Sequence, residues 1–162
     1  MVVSGLVLNF VPDRPAALAE MARVTGAGGT IAAYVWDYAG KMALLRHLWD
    51  AAVELDASVA PMDEGVRFPL CRPDALTELF AAAGLQQIET TAIDIATPFA
   101  SFDDYWRPSL GGQGPAPAYA MSLGESARAR LRGRVEAGLP VLPDGSISMS
   151  ARAWAVRARV TA

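Results

Sequence analysis

The chain is predicted to form an α/β fold, a doubly wound sheet with helices on its faces. Three observations carry that expectation. An apolar run over residues 2–11 is followed by a helical pattern and then by a β-prone stretch over residues 30–38. That strand–helix–strand order builds parallel sheets. Further helix-period and strand-like segments alternate down the chain, and 52% of the residues are hydrophobic, enough for a packed core and too many for a disordered segment.

The elements follow in order. Val2, Val3, Leu6, Val7 and Leu8 suit a short buried strand over residues 2–8, although periodicity alone also admits a helical turn. Pro12 and Asp13 end it. Asp13 is a good N-cap, and Pro15 falls in the first turn, where a missing N–H costs little. Leu18, Met21, Ala22 and Val24 recur at helical spacing, with Glu20 and Arg23 left to solvent. Gly26, Gly28 and Gly29 stop that helix, and residues 30–38 read as a central strand.

A second helix is expected from residue 40 or 41 to 55, with Leu45, Leu48, Trp49 and Ala52 on its apolar face. Residues 56–72 are polar and proline-punctuated, a connection or lid. Pro73 and Asp74 start a helix that Gly84 closes. Residues 86–97 alternate weakly, as a peripheral strand does. Ser101 to Asp104 can cap a short helix holding Tyr105 and Trp106. Residues 111–117 are rich in glycine and proline and read as a mobile cover within a lid-like insertion at 107–121. Residues 122–139 suit a helix weakened at Gly133, Pro143 to Gly145 a turn, and residues 146–160 the last strand. A single domain over residues 1–162 is expected.

Composition narrows the function classes. A net charge of −3 offers nothing to nucleic acid or to an anionic membrane. No apolar run reaches the ~18 residues of a membrane span, and no basic stretch leads into an apolar core with a cleavage site. One cysteine and one histidine exclude an intramolecular disulfide and leave no His/Cys metal set. The expectation is a cytoplasmic protein with no nucleic-acid, membrane or metal partner.

Some residues are family-specific. The run VVSGLVLNFVPD, then ALAEMARVT, then GGTI resembles the middle of class I S-adenosylmethionine-dependent methyltransferases, in the methyltransferase type 11-like branch. Gly26 and Ala27 stand where that branch usually has a basic residue and proline. The later ALTELFAAAGL and the terminal ARAWAVR resemble its late helix and last strand. The resemblance covers nearly the whole chain, as the family's C-terminal half. It implies strands 4-5-7-6 of the Rossmann-like order 3-2-1-4-5-7-6, with the last strand antiparallel.

The resemblance also implies S-adenosylmethionine as cofactor and a small molecule as methyl acceptor. The family's crevice lies where the strand order reverses. Ser4, Gly5 and Leu6 would line one wall of it, with Asn9 as a polar contact nearby. The family's glycine-rich turn and ribose-binding acid have no counterpart among these residues. Weak or absent cofactor binding, and weak or no activity, are therefore expected of this chain.

Other candidates each carry a plainer alternative. Trp36, Asp37 and Tyr38, at the carboxyl end of the expected central strand, could shape an acceptor pocket, although Trp36 also suits a core. His47 could accept a proton or sit partly exposed. Tyr105 and Trp106 could cover a substrate or simply pack. The glycines at 26–29 and 111–114 lack the context of a nucleotide or phosphate loop. Arg128, Arg130, Arg132 and Arg134 wrap around a helix as a solvated face, and Asp103–Asp104 suits capping better than a metal. Two non-enzymatic readings stand beside the transferase: a homodimer formed through the exposed edge of the first strand, or a small-ligand binder using Trp36, Tyr38 and the later helices.

Overall fold

The computed structural model describes residues 1–161. The first strand, β1 (Val2–Gly5), is shorter than the apolar run that suggests it. Leu6 takes a left-handed backbone with φ 57°, a conformation a branched side chain resists, and its N–H donates to the carbonyl of Tyr34 at 2.8 Å. The chain then tightens into a 3-10 turn, Leu8–Phe10, that buries Leu8 and Asn9. Helix α1 (Arg14–Thr25) starts as its capping residue dictates: the Asp13 carboxylate accepts from the Ala16 N–H at 2.9 Å. It ends at Gly26, whose φ of 77° suits a residue without Cβ.

The next strand, β2 (Thr30–Trp36), runs parallel to β1, with Val2 opposite Ile31 and Gly5 opposite Tyr34. Helix α2 spans Ala43–Leu55 and the one-turn α3 spans Glu64–Arg67. Helix α4 (Pro73–Ala82) begins on its proline and is followed by Gly84 at φ 74°. Strand β3 (Gln86–Phe99) precedes the short α5 (Phe102–Trp106), and α6 (Pro115–Ser122), α7 (Glu125–Gly138) and β4 (Ile147–Arg159) complete the chain.

The four strands form one sheet in the order β1-β2-β4-β3. Strand β4 lies antiparallel to β2, with Thr30 opposite Arg159 and Trp36 opposite Ala153. Two ion pairs link β4 to β3, Arg152 to Asp94 at 2.6 Å and Arg157 to Glu89 at 2.7 Å. Moving up β4 from the first pair to the second moves equally far back along β3, the sense of an antiparallel pair. The sheet is thus the expected 4-5-7-6 arrangement with its last strand reversed, flanked by helices.

The chain divides into two compact units, residues 1–37, 68–94 and from 152 onward in the first, and 38–67 and 95–151 in the second. In the first unit the alternation of β2 decides which face is covered. Ile31, Ala33 and Val35 are buried, while Ala32 and Tyr34 point the other way. Helix α1 packs on β1, β2 and α4, and Leu18, Leu76 and Phe80 are fully buried.

The second unit has its own core, in which Trp49, Tyr105, Ala120, Leu131 and Val135 cluster. Residues 56–67 carry more structure than a plain connection: Asp56 caps a 3-10 segment, Ala57–Met62, by accepting from the Ser58 N–H at 2.9 Å, and α3 follows. The cover expected at 111–117 is helical from Pro115. Gly114 at φ 87° turns the chain, proline at the first helical position sacrifices no hydrogen bond, and Ala116, Tyr119 and Ala120 are buried. Gly133 does not interrupt α7, whose Leu131 and Val135 on either side are anchored in the core. Ser101 and Asp104 form the capping pair of α5: the Asp104 N–H donates to Ser101 Oγ, and the Asp104 carboxylate accepts from the Ala100 N–H, both at 3.2 Å. No helix among the described residues is long and apolar enough to cross a membrane.

A buried polar contact ties α3 to α2. Glu64 is 4% exposed, and its carboxylate accepts a hydrogen bond from the Trp49 indole N–H. Beside it Arg46 pairs with Asp63 at 2.6 Å. Trp49→Phe leaves the Glu64 carboxylate buried without that donor and is expected to cost about 2–3 kcal/mol. Urea unfolding checks this, and the double variant Trp49→Phe/Glu64→Leu should recover most of the loss.

Candidate functional site

The first unit gathers six of the candidate residues, through the pairing of two strands and the turn that follows the first. Because β1 and β2 are parallel neighbours, their carboxyl ends lie side by side, with Ser4, Gly5 and Leu6 on one and Trp36 and Asp37 on the other. Asn9 follows in the 3-10 turn. Ser4, Gly5, Leu6 and Trp36 are half-buried. Asp37 is 7% exposed, and its backbone N–H donates to the carbonyl of Arg152 at 2.8 Å.

Two features there have no signal in the sequence. The Tyr34 ring and hydroxyl lie directly over Gly5, filling the space a Cβ would take, so glycine at position 5 admits the tyrosine of the next strand. Arg14, at the start of α1, reaches back to donate to the Asn9 backbone carbonyl at 3.2 Å. Asn9 is 2% exposed, and among the described residues its side-chain Nδ2 has no partner, nor has Arg14 Nε. Burial pushes the Cys71 thiol up to about 12, with the Arg14 charge opposing that rise and the Asp37 charge adding to it. Cys71 is therefore a thiol and not a nucleophile at neutral pH.

As a cofactor wall these residues fit in part. Ser4 and Leu6 offer partly exposed surface, the Tyr34 ring beside Gly5 offers an aromatic one, and the unpartnered Asn9 amide is a donor in need of an acceptor. Its burial, however, keeps that amide from open solvent.

The second unit holds the other candidates. Tyr38 is 9% exposed. Tyr105 is fully buried, and its hydroxyl donates to the Leu44 carbonyl at 2.8 Å. Burial raises its pKa well beyond the ordinary phenol range. Trp106 is buried in the same core and stacks with Phe102 at 6.2 Å between centroids. His47 faces elsewhere, into a shallow hollow between α2 and α7 with Asp50, Glu54 and Arg134. Arg134 and Glu54 are paired across it at 2.5 Å. Among the described residues no group of three His, Cys, Asp or Glu side chains could hold a metal ion.

No protein-family model matches this chain, and no curated protein matches it in sequence. The fold is nevertheless shared with solved structures. A Bacillus halodurans protein assigned provisionally as a methyltransferase is similar with a TM-score of 0.51 and 12% identity, covering 99% of this chain and 64% of that one. Slighter likenesses include a Haemonchus contortus phosphoethanolamine N-methyltransferase 2 in complex with S-adenosyl-L-methionine, with a TM-score of 0.45, 12% identity and coverage of 99% and 33%. Another is the YcgJ protein of Bacillus subtilis, at 0.47, 15%, 99% and 64%. The chain spans less than two thirds of the length of each of these. What it shares with the first is the fold, an α/β sheet flanked by helices.

Burial holds the His47 pKa below its ordinary value, with the Asp50 carboxylate pulling the other way. The unfolded chain thus binds more protons than the folded one just below about pH 6.5. The stability this contributes is complete above that pH and is lost as the pH falls through it toward the folded pKa. The urea midpoint of the wild type should therefore drop more steeply than that of His47→Gln between roughly pH 7.5 and 5. Parallel pH profiles for the two proteins would refute this.

Proposed function

We propose that this chain belongs to an S-adenosylmethionine-dependent methyltransferase of the type 11-like branch, acting on a small molecule. The observation that carries the reading is the sheet: order β1-β2-β4-β3, a parallel first pair and a reversed last strand. The similar Bacillus halodurans fold supports it, as do the runs at residues 2–13, 17–25 and 28–31.

In this reading Ser4, Gly5, Leu6 and Asn9 hold the cofactor from one side, at the carboxyl ends of the strands. The sulfonium supplies an activated methyl group when bound. The chain's own residues need only orient the acceptor and keep water out. Trp36 and Asp37, at the end of β2, are assigned to the acceptor, with Tyr38 next in the chain. In the second unit the lowered pKa of His47 favours a neutral imidazole able to take a proton. Tyr105 and Trp106 contribute shape through packing.

Four residues forming one side of a ligand make a weak site, so affinity on the order of 1 mM or weaker is expected. Amide NMR spectra recorded with S-adenosylmethionine and then S-adenosylhomocysteine should show shifts concentrated at Ser4, Gly5, Leu6 and Asn9. Unperturbed amides there at saturating ligand would sink the cofactor assignment. Tight, stoichiometric binding in calorimetry would overturn the expected weakness.

A second reading rests on the sheet edge. Among the described residues β1 pairs only with β2, and Val3 is 54% exposed. Its unpaired backbone groups form a template for a second strand, and pairing around a two-fold would make a homodimer. Light scattering should then report twice the chain mass, shifting to monomer in Val3→Pro. A monomeric wild type at high concentration contradicts it.

A further inference from the structure

The second unit contains a hollow of about 270 Å³ at the meeting of α2, α6 and α7, lined by Leu55, Asp56, Tyr119, Leu123, Arg130 and Leu131. It does not depend on the cofactor reading. Three of its properties are those of a binding site and not of a packing flaw.

The first is an available hydroxyl. Tyr119 is 8% exposed, its ring stacked on Trp49 at 5.5 Å between centroids. Its backbone carbonyl accepts from the Ser122 hydroxyl at 2.7 Å, and among the described residues its phenol hydroxyl has no protein partner. A buried, stacked ring thus presents an accessible phenol O–H to the hollow, free to bond a ligand. A tyrosine pairs an apolar body with a polar tip that takes a hydrogen-bond partner.

The second is a pair of opposite charges in one lining. Asp56, just past the C-terminus of α2, contributes a carboxylate to it. Among the described residues only its Oδ1 is engaged, by the Ser58 N–H and hydroxyl at 2.9 and 2.6 Å, so the other oxygen is open to a cation. Those hydrogen bonds keep the carboxyl ionised by lowering its pKa. Arg130 comes from a different helix. Its guanidinium is engaged only at one nitrogen, by the Ser126 hydroxyl at 3.2 Å, which leaves donors for an anion. The third property is apolar lining, supplied by Leu55, Leu123 and Leu131.

We propose that this hollow binds a small zwitterion of the α-amino-acid class with an apolar side chain. The ammonium pairs with Asp56, the carboxylate pairs with Arg130 and accepts from the Tyr119 hydroxyl, and the side chain lies on the three leucines. A ligand with only one of the two charges would leave either Asp56 or Arg130 facing an uncompensated partner, which is the basis of discrimination.

L-leucine is the probe, with N-acetyl-leucine lacking the ammonium and leucinamide lacking the carboxylate. In amide NMR titrations of the full chain, leucine at up to about 10 mM should shift the resonances of Leu55, Tyr119, Leu123 and Leu131. Either derivative should bind at least roughly tenfold more weakly. Tyr119→Phe, which keeps the stacked ring, should weaken leucine about five- to tenfold. Asp56→Asn keeps a capping residue at its position, and with Arg130→Gln it should abolish the corresponding charge preference. Absence of leucine shifts at these residues, or equal binding of leucine and its derivatives, overturns the proposal. Unchanged affinity in Tyr119→Phe removes the tyrosine from it.

Discussion

Strand β2 is the constraint on which the rest of the sheet depends. It is paired on both edges, parallel to β1 and antiparallel to β4. Ile31, Ala33 and Val35 on one face are buried almost completely. A slip of one residue would turn that row to the opposite face and bring Tyr34 into its place. Hydrophobic burial therefore fixes the register of β2, and the register fixes which residues of β1 and β4 stand beside it. The adjacency of Gly5 and Tyr34 follows from it, as does that of the carboxyl ends where Ser4, Leu6, Trp36 and Asp37 meet.

The same strand explains why the local oddities cluster at one end. Leu6 is held in the left-handed region while its N–H is committed to the Tyr34 carbonyl, so the turn after β1 is fastened to β2. Tyr34 in turn lies over Gly5. Strain of this sort persists where surrounding contacts over-determine the backbone, and it is common at ligand sites. The orphaned donors of Asn9 and Arg14 lie just beyond the same turn. By contrast, the second unit is organised by aromatic packing. Trp49 serves twice there, with its ring under Tyr119 and its N–H on Glu64.

Much of this was legible from the chain because it depends on neighbours in sequence. Asp13 and Pro15 announce the start of α1, Pro73 and Gly84 bracket α4, and the strand–helix–strand order with its family-like runs predicts the sheet. Where the reading missed, the deciding contacts are distant. Residues 111–117 look like a loop from their glycines and prolines, yet Ala116, Tyr119 and Ala120 are drawn into a helix by a core they cannot reveal locally. For Tyr105 the sequence left substrate contact and packing both open, and the distant Leu44 carbonyl that its hydroxyl bonds has no signal there.

The sequence by itself determined the helices with strong caps and the α/β class, since these rest on local propensity and on hydrophobic period, whereas the order of the strands was legible only through the resemblance of its runs to a known family. Only the tertiary structure decided which polar groups were satisfied. That Tyr34 covers Gly5, that Asn9 keeps an unpartnered amide and that the Tyr119 hydroxyl opens on a charged hollow are facts of distance between segments remote in the chain. A buried donor carries no mark of its partner in the sequence, because its free energy is set by whatever folding places against it.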